Sequence, residues 1–138
     1  MENFSTKPTS ANALKMFKND GAERNQHIAR FINLLDAISE ECTIALDGDW
    51  GSGKTFFAKQ AKLILDACNP KSDMENDTRD EVTQIMQLMG LECGESYATV
   101  YYDAWANDNT DDPILSFIYE ALKDIPILTP SNKKNIAQ

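Results

Sequence analysis

Residues Gly48-Asp49-Trp50-Gly51-Ser52-Gly53-Lys54-Thr55 satisfy G-x-x-x-x-G-K-[ST] at every specified position. The residue types follow from the chemistry of gripping a nucleotide polyphosphate. Glycine at 48, 51 and 53 permits positive φ and removes the Cβ atoms that would keep the backbone away from an anion. Successive backbone N–H groups can then converge on phosphate oxygens, and a helix starting here adds unpaired N–H groups and the positive end of its dipole. Lys54 is the expected catalytic cation, reaching the β- and γ-phosphates, and the Thr55 hydroxyl is the expected ligand for Mg²⁺. The predicted nucleotide-binding set is Gly48, Asp49, Trp50, Gly51, Ser52, Gly53, Lys54, Thr55 and Phe56.

Such a loop needs a strand leading in and a helix leading out. Cys42-Thr43-Ile44-Ala45-Leu46 is short, largely apolar and followed by Asp47-Gly48, the pattern of a buried strand ending in a loop. Phe57, Ala61, Ile64, Leu65 and Cys68 then recur at helical spacing until Asn69-Pro70 stops the helix.

Elsewhere the pattern is mostly helical. Residues 1–9 read as a frayed tail, and a short helix runs from an N-cap at Ser10 through Leu14 and Phe17 to Asn19-Asp20-Gly21. From Glu23 to Glu40, Ile28, Phe31, Ile32, Leu35 and Ile38 mark an amphipathic helix. Residues 69–77 are a polar linker. Thr78-Arg79-Asp80-Glu81 has the form of a capping box before Val82, Ile85, Met86 and Met89, with Gly90 as the stop, and the methionine-rich stripe is expected to pack on a sheet. Tyr97-Ala98-Thr99-Val100-Tyr101-Tyr102 reads as a second strand. Asp112 and Pro113 open a last helix with an Ile114, Phe117, Ile118, Ala121, Leu122 stripe, and Pro126–Gln138 is a polar tail. Strands alternating with helices predict α/β architecture with a parallel sheet.

Composition narrows the classes. The chain has 138 residues, 42% hydrophobic and 25% charged, as expected of one soluble globular domain. A net charge of −9 disfavours non-specific binding to nucleic acid or anionic membrane. No apolar run reaches the ~20 residues of a membrane span, and Met1-Glu2-Asn3 is not the start of a signal peptide. Three cysteines (Cys42, Cys68, Cys93) without C-x-x-C spacing point to free thiols in a reducing cytoplasm, with Cys42 and Cys68 buried. His27, the single histidine, is expected exposed early in a helix, which leaves no support for a His-based metal site or a Ser-His-Asp triad.

A complete phosphate-loop domain needs about four or five parallel strands covered by helices on both faces, and this sequence supplies two. It also lacks a later apolar strand ending in Asp to hold Mg²⁺ opposite Thr55. Tyr101-Tyr102-Asp103 is the nearest candidate. Asp103 either sits at a strand's carboxyl end as a ligand or begins a structured loop, and the dense loop signature favours the second. The expected product is therefore the N-terminal part of a larger protein, or a truncated one.

That loop, Tyr101-Tyr102-Asp103-Ala104-Trp105-Ala106-Asn107-Asp108-Asn109-Thr110-Asp111-Asp112-Pro113, taken with Asp49-Trp50-Gly51-Ser52-Gly53-Lys54-Thr55, resembles the KAP family of P-loop NTPases in its soluble bacterial form. The family pairs an aromatic residue inside the phosphate loop with an Asn- or Asp-Ala-aromatic motif after the next strand. The resemblance spans residues 23–125, leaving 1–22 as a tail with a short helix and 126–138 as a C-terminal tail. It implies a RecA/AAA-like ATPase core, a parallel sheet flanked by helices and here incomplete, with ATP and Mg²⁺ as ligands. Many members carry transmembrane segments after the phosphate-loop helix; residues 69–95 here are polar with one helix. The catalytic aspartates of the family lie beyond residue 138, so hydrolysis is expected only of a complete protein.

Trp50 and Trp105 either shield the nucleotide and its loop or fill hydrophobic gaps, and packing is the simpler account. Asp103, Asp108, Asp111 and Asp112 lack the spacing of a calcium loop. No arginine-rich lid of a small-molecule kinase is visible among the 13 Lys and Arg. The expected function is Mg-ATP binding at residues 48–55 by a KAP-type segment. The alternative is a non-catalytic interaction module that keeps the NTPase surface and pairs with a protein partner, or with itself, through open sheet edges.

Overall fold

The Thr9 hydroxyl accepts a hydrogen bond from the Asn12 N–H at 3.2 Å and opens α1, Ser10–Lys18, one residue before the expected cap. The computed structural model describes residues 9–19, 24–49, 53–104, 106 and 111–124. The remaining elements are α2 (Asn25–Ala37), α3 (Lys54–Cys68), α4 (Asn76–Leu88) and α5 (Pro113–Asp124). The expected tails at residues 1–8 and 126–138 lie outside the described residues.

α3 is the axis of the core, packing against α1, α2 and α4. Its Ala61, Leu63, Ile64 and Ala67 meet Ala13 and Phe17 of α1, Ile28 and Ile32 of α2, and Val82, Ile85 and Met86 of α4. Each of the larger side chains buried here contributes about 1.5–3 kcal/mol relative to exposure. Phe31 and Phe57 lock α2 to α3 edge to face, with ring centroids 5.6 Å apart. The methionine-rich stripe of α4 thus packs on helices rather than on a sheet. His27 is exposed in the first turn of α2, as its pattern predicted.

The expected α/β fold is overturned: the described residues form five helices and no strand, so no parallel RecA/AAA-like sheet is present among them. Residues 41–49 run without a ladder and are exposed throughout, with Ile44 at 40% and Leu46 at 50%. A strand is stable only beside others, and two parallel strand-like runs are too few to cover one another. With no ladder among the described residues, the route to partners through open sheet edges has no basis in them.

The second strand-like run lies along α3 instead. Asn69 Nδ2 donates to the Tyr97 carbonyl at 3.1 Å, Lys62 Nζ donates to Thr99 Oγ1 at 2.9 Å, and the Thr99 hydroxyl donates to Asp66. Lys59 Nζ stands 4.6 Å from the centre of the Tyr101 ring. The Thr99 and Tyr101 side chains therefore face α3, the Tyr97 carbonyl meets the residue that ends it, and the contacts on the helix side run backwards from 69 to 59. Four extended steps cover about 13 Å and ten helical steps rise about 15 Å, so the two runs match in length.

Two further expectations fail locally. The capping box at Thr78 does not form, because α4 starts at Asn76. Glu81 pairs instead with Lys18 at 2.9 Å, and Arg79 turns back onto α3. The cysteines also differ: Cys68 and Cys93 form a disulfide with Cα atoms 5.3 Å apart, and Cys42 is free but exposed. Gly90, at φ 69°, ends α4, and the Leu91 N–H bonds the Met86 carbonyl at 2.9 Å. That reversal leads Cys93 back to the last residue of α3.

The Asp112 carboxylate caps α5, accepting from the Ile114 and Leu115 N–H groups at 3.0 and 3.2 Å. The expected α5 stripe exists but stays largely uncovered: Ile114 is 72% exposed, Phe117 and Ile118 48% each. Tyr102 stacks against it, edge to face on Phe117 with ring centroids 5.6 Å apart.

Candidate functional site

Gly53 occupies the left-handed region, φ 86° and ψ 26°, where an L side chain is strained, and it places Lys54 at the first position of α3. Its carbonyl accepts the first helical bond, from Phe57 N–H at 3.0 Å. Gly53, at the cap position, has no side chain with which to close this end. The leading N–H groups of a helix have no intrahelical partner and carry the positive end of the dipole, so this terminus is shaped for an anion.

Two cations reach the same turn. Lys54 folds back over the loop, and its ammonium donates to the Gly48 carbonyl and, at 3.4 Å, to the Asp49 carbonyl. Arg24, from the residue preceding α2, donates through Nη1 to the Gly53 carbonyl at 2.8 Å. Asp47 fixes the near side of the turn by accepting from the Gly48 N–H at 2.8 Å. The Thr55 side chain is exposed at the second helical position, open to a metal or to water. Phe56 packs its ring against the core, so what it can offer a phosphate is its backbone N–H. Trp50, Gly51 and Ser52 lie outside the described residues.

Of the predicted set, Gly48, Asp49, Gly53, Lys54 and Thr55 thus share one turn at the start of α3. Asp103 stands apart from them in role: its carboxylate accepts the Ala106 N–H at 3.2 Å and shapes a turn, as the loop reading of that residue expected. Asp112 serves as a helix cap. Trp105, Asp108 and the rest of 107–110 lie outside the described residues. No group of three or more His, Cys, Asp or Glu among the described residues could hold a metal ion. Arg24 belongs to no motif and was missed; the available signal was a basic residue at the foot of the helix that leads into the loop.

The residues present fit a polyphosphate. A helix terminus behind a left-handed glycine supplies aligned donors, and Lys54 and Arg24 bring two positive charges to the same turn.

The far end of α3 is closed by contrast. Arg79 Nη1 donates to the carbonyls of Asp66, Ala67 and Asn69 at 3.1, 2.8 and 2.9 Å, and the Ser72 hydroxyl donates to Asp66 O at 2.6 Å. Beside it lies a cavity of about 420 Å³, lined by residues including Cys68, Met74, Arg79 and Cys93. Its one guanidinium is already committed to main-chain carbonyls.

No helix among the described residues is long and apolar enough to cross a membrane. No curated protein and no solved structure matches the chain. Residues 24–135 match the model of the KAP family P-loop domain, a stretch that takes in the phosphate loop and α2 to α5. Motif, helix terminus and family match coincide on one turn, and the chain belongs to the KAP family of P-loop domains, which makes it a nucleotide-binding domain by class.

Proposed function

We propose that the chain binds ATP with Mg²⁺ at residues 48–56. The observation that carries this reading is the left-handed Gly53 setting Lys54 and Thr55 on an uncapped helix terminus, inside the segment that the family model covers. In this reading the backbone N–H groups of residues 51–55 line the phosphate chain, and the Lys54 ammonium leaves the Gly48 and Asp49 carbonyls to neutralise β- and γ-phosphate charge. The Thr55 hydroxyl is the protein's ligand for Mg²⁺, and the metal supplies charge neutralisation across the phosphates. In this reading hydrolysis of the β–γ bond belongs to a complete protein, because the sequence offers no later apolar strand ending in Asp to hold Mg²⁺ opposite Thr55. The reading includes a cytoplasmic setting, where the Cys68–Cys93 bond faces a reducing thiol pool.

Isothermal titration of the chain with ATP and MgCl₂ tests this. Wild type is expected to bind, Lys54→Ala to lose binding, and Thr55→Ala to bind ATP but lose the gain from Mg²⁺. Equal behaviour of wild type and Lys54→Ala would remove the reading. A non-catalytic interaction module is the second reading, favoured by the uncovered face of α5, where Leu115 is 63% and Tyr119 60% exposed.

A further inference from the structure

We propose that Arg24 is a positioning residue for the phosphate loop, setting the direction of the Lys54 N–H through the carbonyl of Gly53. The proposal rests on the nucleotide reading and adds a residue that no phosphate-loop motif contains. Arg24 lies 29 positions before Gly53, and its Nη1 donates to that carbonyl at 2.8 Å. A Cβ built on Gly53 would stand 2.5 Å from Nη1 and 2.9 Å from Cζ and Nη2. The guanidinium therefore covers the very face of residue 53 from which a side chain would project. Glycine is required here twice over, for φ +86° and for the arginine's seat.

The carbonyl it grips is a consequential one. It also accepts the Phe57 N–H at 3.0 Å, the bond that closes the first turn of α3. A peptide unit is planar, so fixing the Gly53 oxygen fixes the opposed N–H of Lys54. That N–H is one of the donors the loop aims at phosphate. Arg24 thus ties α2 to the aim of the loop, and its permanent charge adds to the field at the same turn. Lysine keeps the charge but lacks the planar fork, so it replaces the arginine only in part.

The test uses the whole chain as wild type, Arg24→Gln, Arg24→Lys and Lys54→Ala, with MgATP and inorganic tripolyphosphate as probes. Arg24→Gln is expected to weaken both probes about tenfold, with thermal midpoint and helical circular dichroism unchanged and Arg24→Lys intermediate. Without any probe, hydrogen exchange at the Phe57 amide, which bonds the Gly53 carbonyl, should quicken in Arg24→Gln while residues 61–67 stay as in wild type. A purely structural arginine would instead lower the thermal midpoint and leave the affinity of the folded chain alone. Binding within twofold of wild type, or unchanged exchange at Phe57, overturns the proposal. Loss of binding in Lys54→Ala alone leaves the nucleotide reading standing without Arg24; failure of wild type to bind either probe removes both.

Discussion

At its C-terminal end α3 hands its carbonyls to Arg79, Ser72 closes over Asp66, and the Cys68–Cys93 bond ties the chain that follows α4 to the last helical residue. At its N-terminal end the same helix offers uncapped N–H groups behind a glycine, with Lys54 and Arg24 resting on loop carbonyls. One helix thus carries a saturated end and an open one. Saturation holds the α3–α4 unit together, while the open end keeps helix donors and the Lys54 ammonium within reach of a ligand. Ligand binding and fold stability should therefore separate along the length of α3.

Mutations at the two ends sharpen that separation. Reducing the Cys68–Cys93 bond, which closes a 25-residue separation, should lower stability by about 3 kcal/mol in urea unfolding. Arg79→Met removes the guanidinium from the Asp66, Ala67 and Asn69 carbonyls and should cost about 2 kcal/mol, with nucleotide affinity of the folded chain unchanged. Gly53→Ala should cost only about 1–2 kcal/mol yet abolish binding, because it forces an L residue into φ 86° and displaces Arg24. Loss of nucleotide binding in Arg79→Met would blur the distinction between the ends.

The smallest effect expected is an alkaline one. Burial first, then the Asp36 carboxylate and its hydrogen bond, then Glu95, raise the Tyr97 phenol above its usual value; burial and then Asp103 raise Tyr101. A phenol held protonated in the fold stabilises it fully below the ordinary value of about 10, and that contribution fades as pH climbs through the raised value. The start of the run 97–101 should therefore loosen from α2 in strong alkali, followed by tyrosinate absorbance against helical circular dichroism. Tyr97→Phe should weaken that dependence, since the phenol's bonds to Leu35 O and Asp36 Oδ1 are gone.

How legible this was from the sequence depended on the range of the interaction. Asp112 with Pro113, Gly90 as a stop and the 3.6-residue stripes of α2 and α3 are local signals, and they reappear in the structure. Thr9 in place of Ser10 is a one-residue choice between two competent caps. The strand-like runs were misread because β-rich composition says only that a segment can pair, not that a neighbour exists. Thr99 and Tyr101 found polar and cationic partners on α3 instead, and Tyr97 found its own on Asn69 and α2. The Cys68–Cys93 bond depended on the return path after α4, which no cysteine spacing encodes. The phosphate loop was legible through its motif, whereas Arg24 was hidden because its link to Gly53 is long-range.

Titrating MgATP into the ¹⁵N-labelled chain while following its amide spectrum tests the central claim most directly. The account predicts shifts concentrated at residues 48–57, little change at residues 66–72 and 79, and no response in Lys54→Ala. Shifts centred on the Arg79 end of α3, or the same shifts in Lys54→Ala, would contradict it.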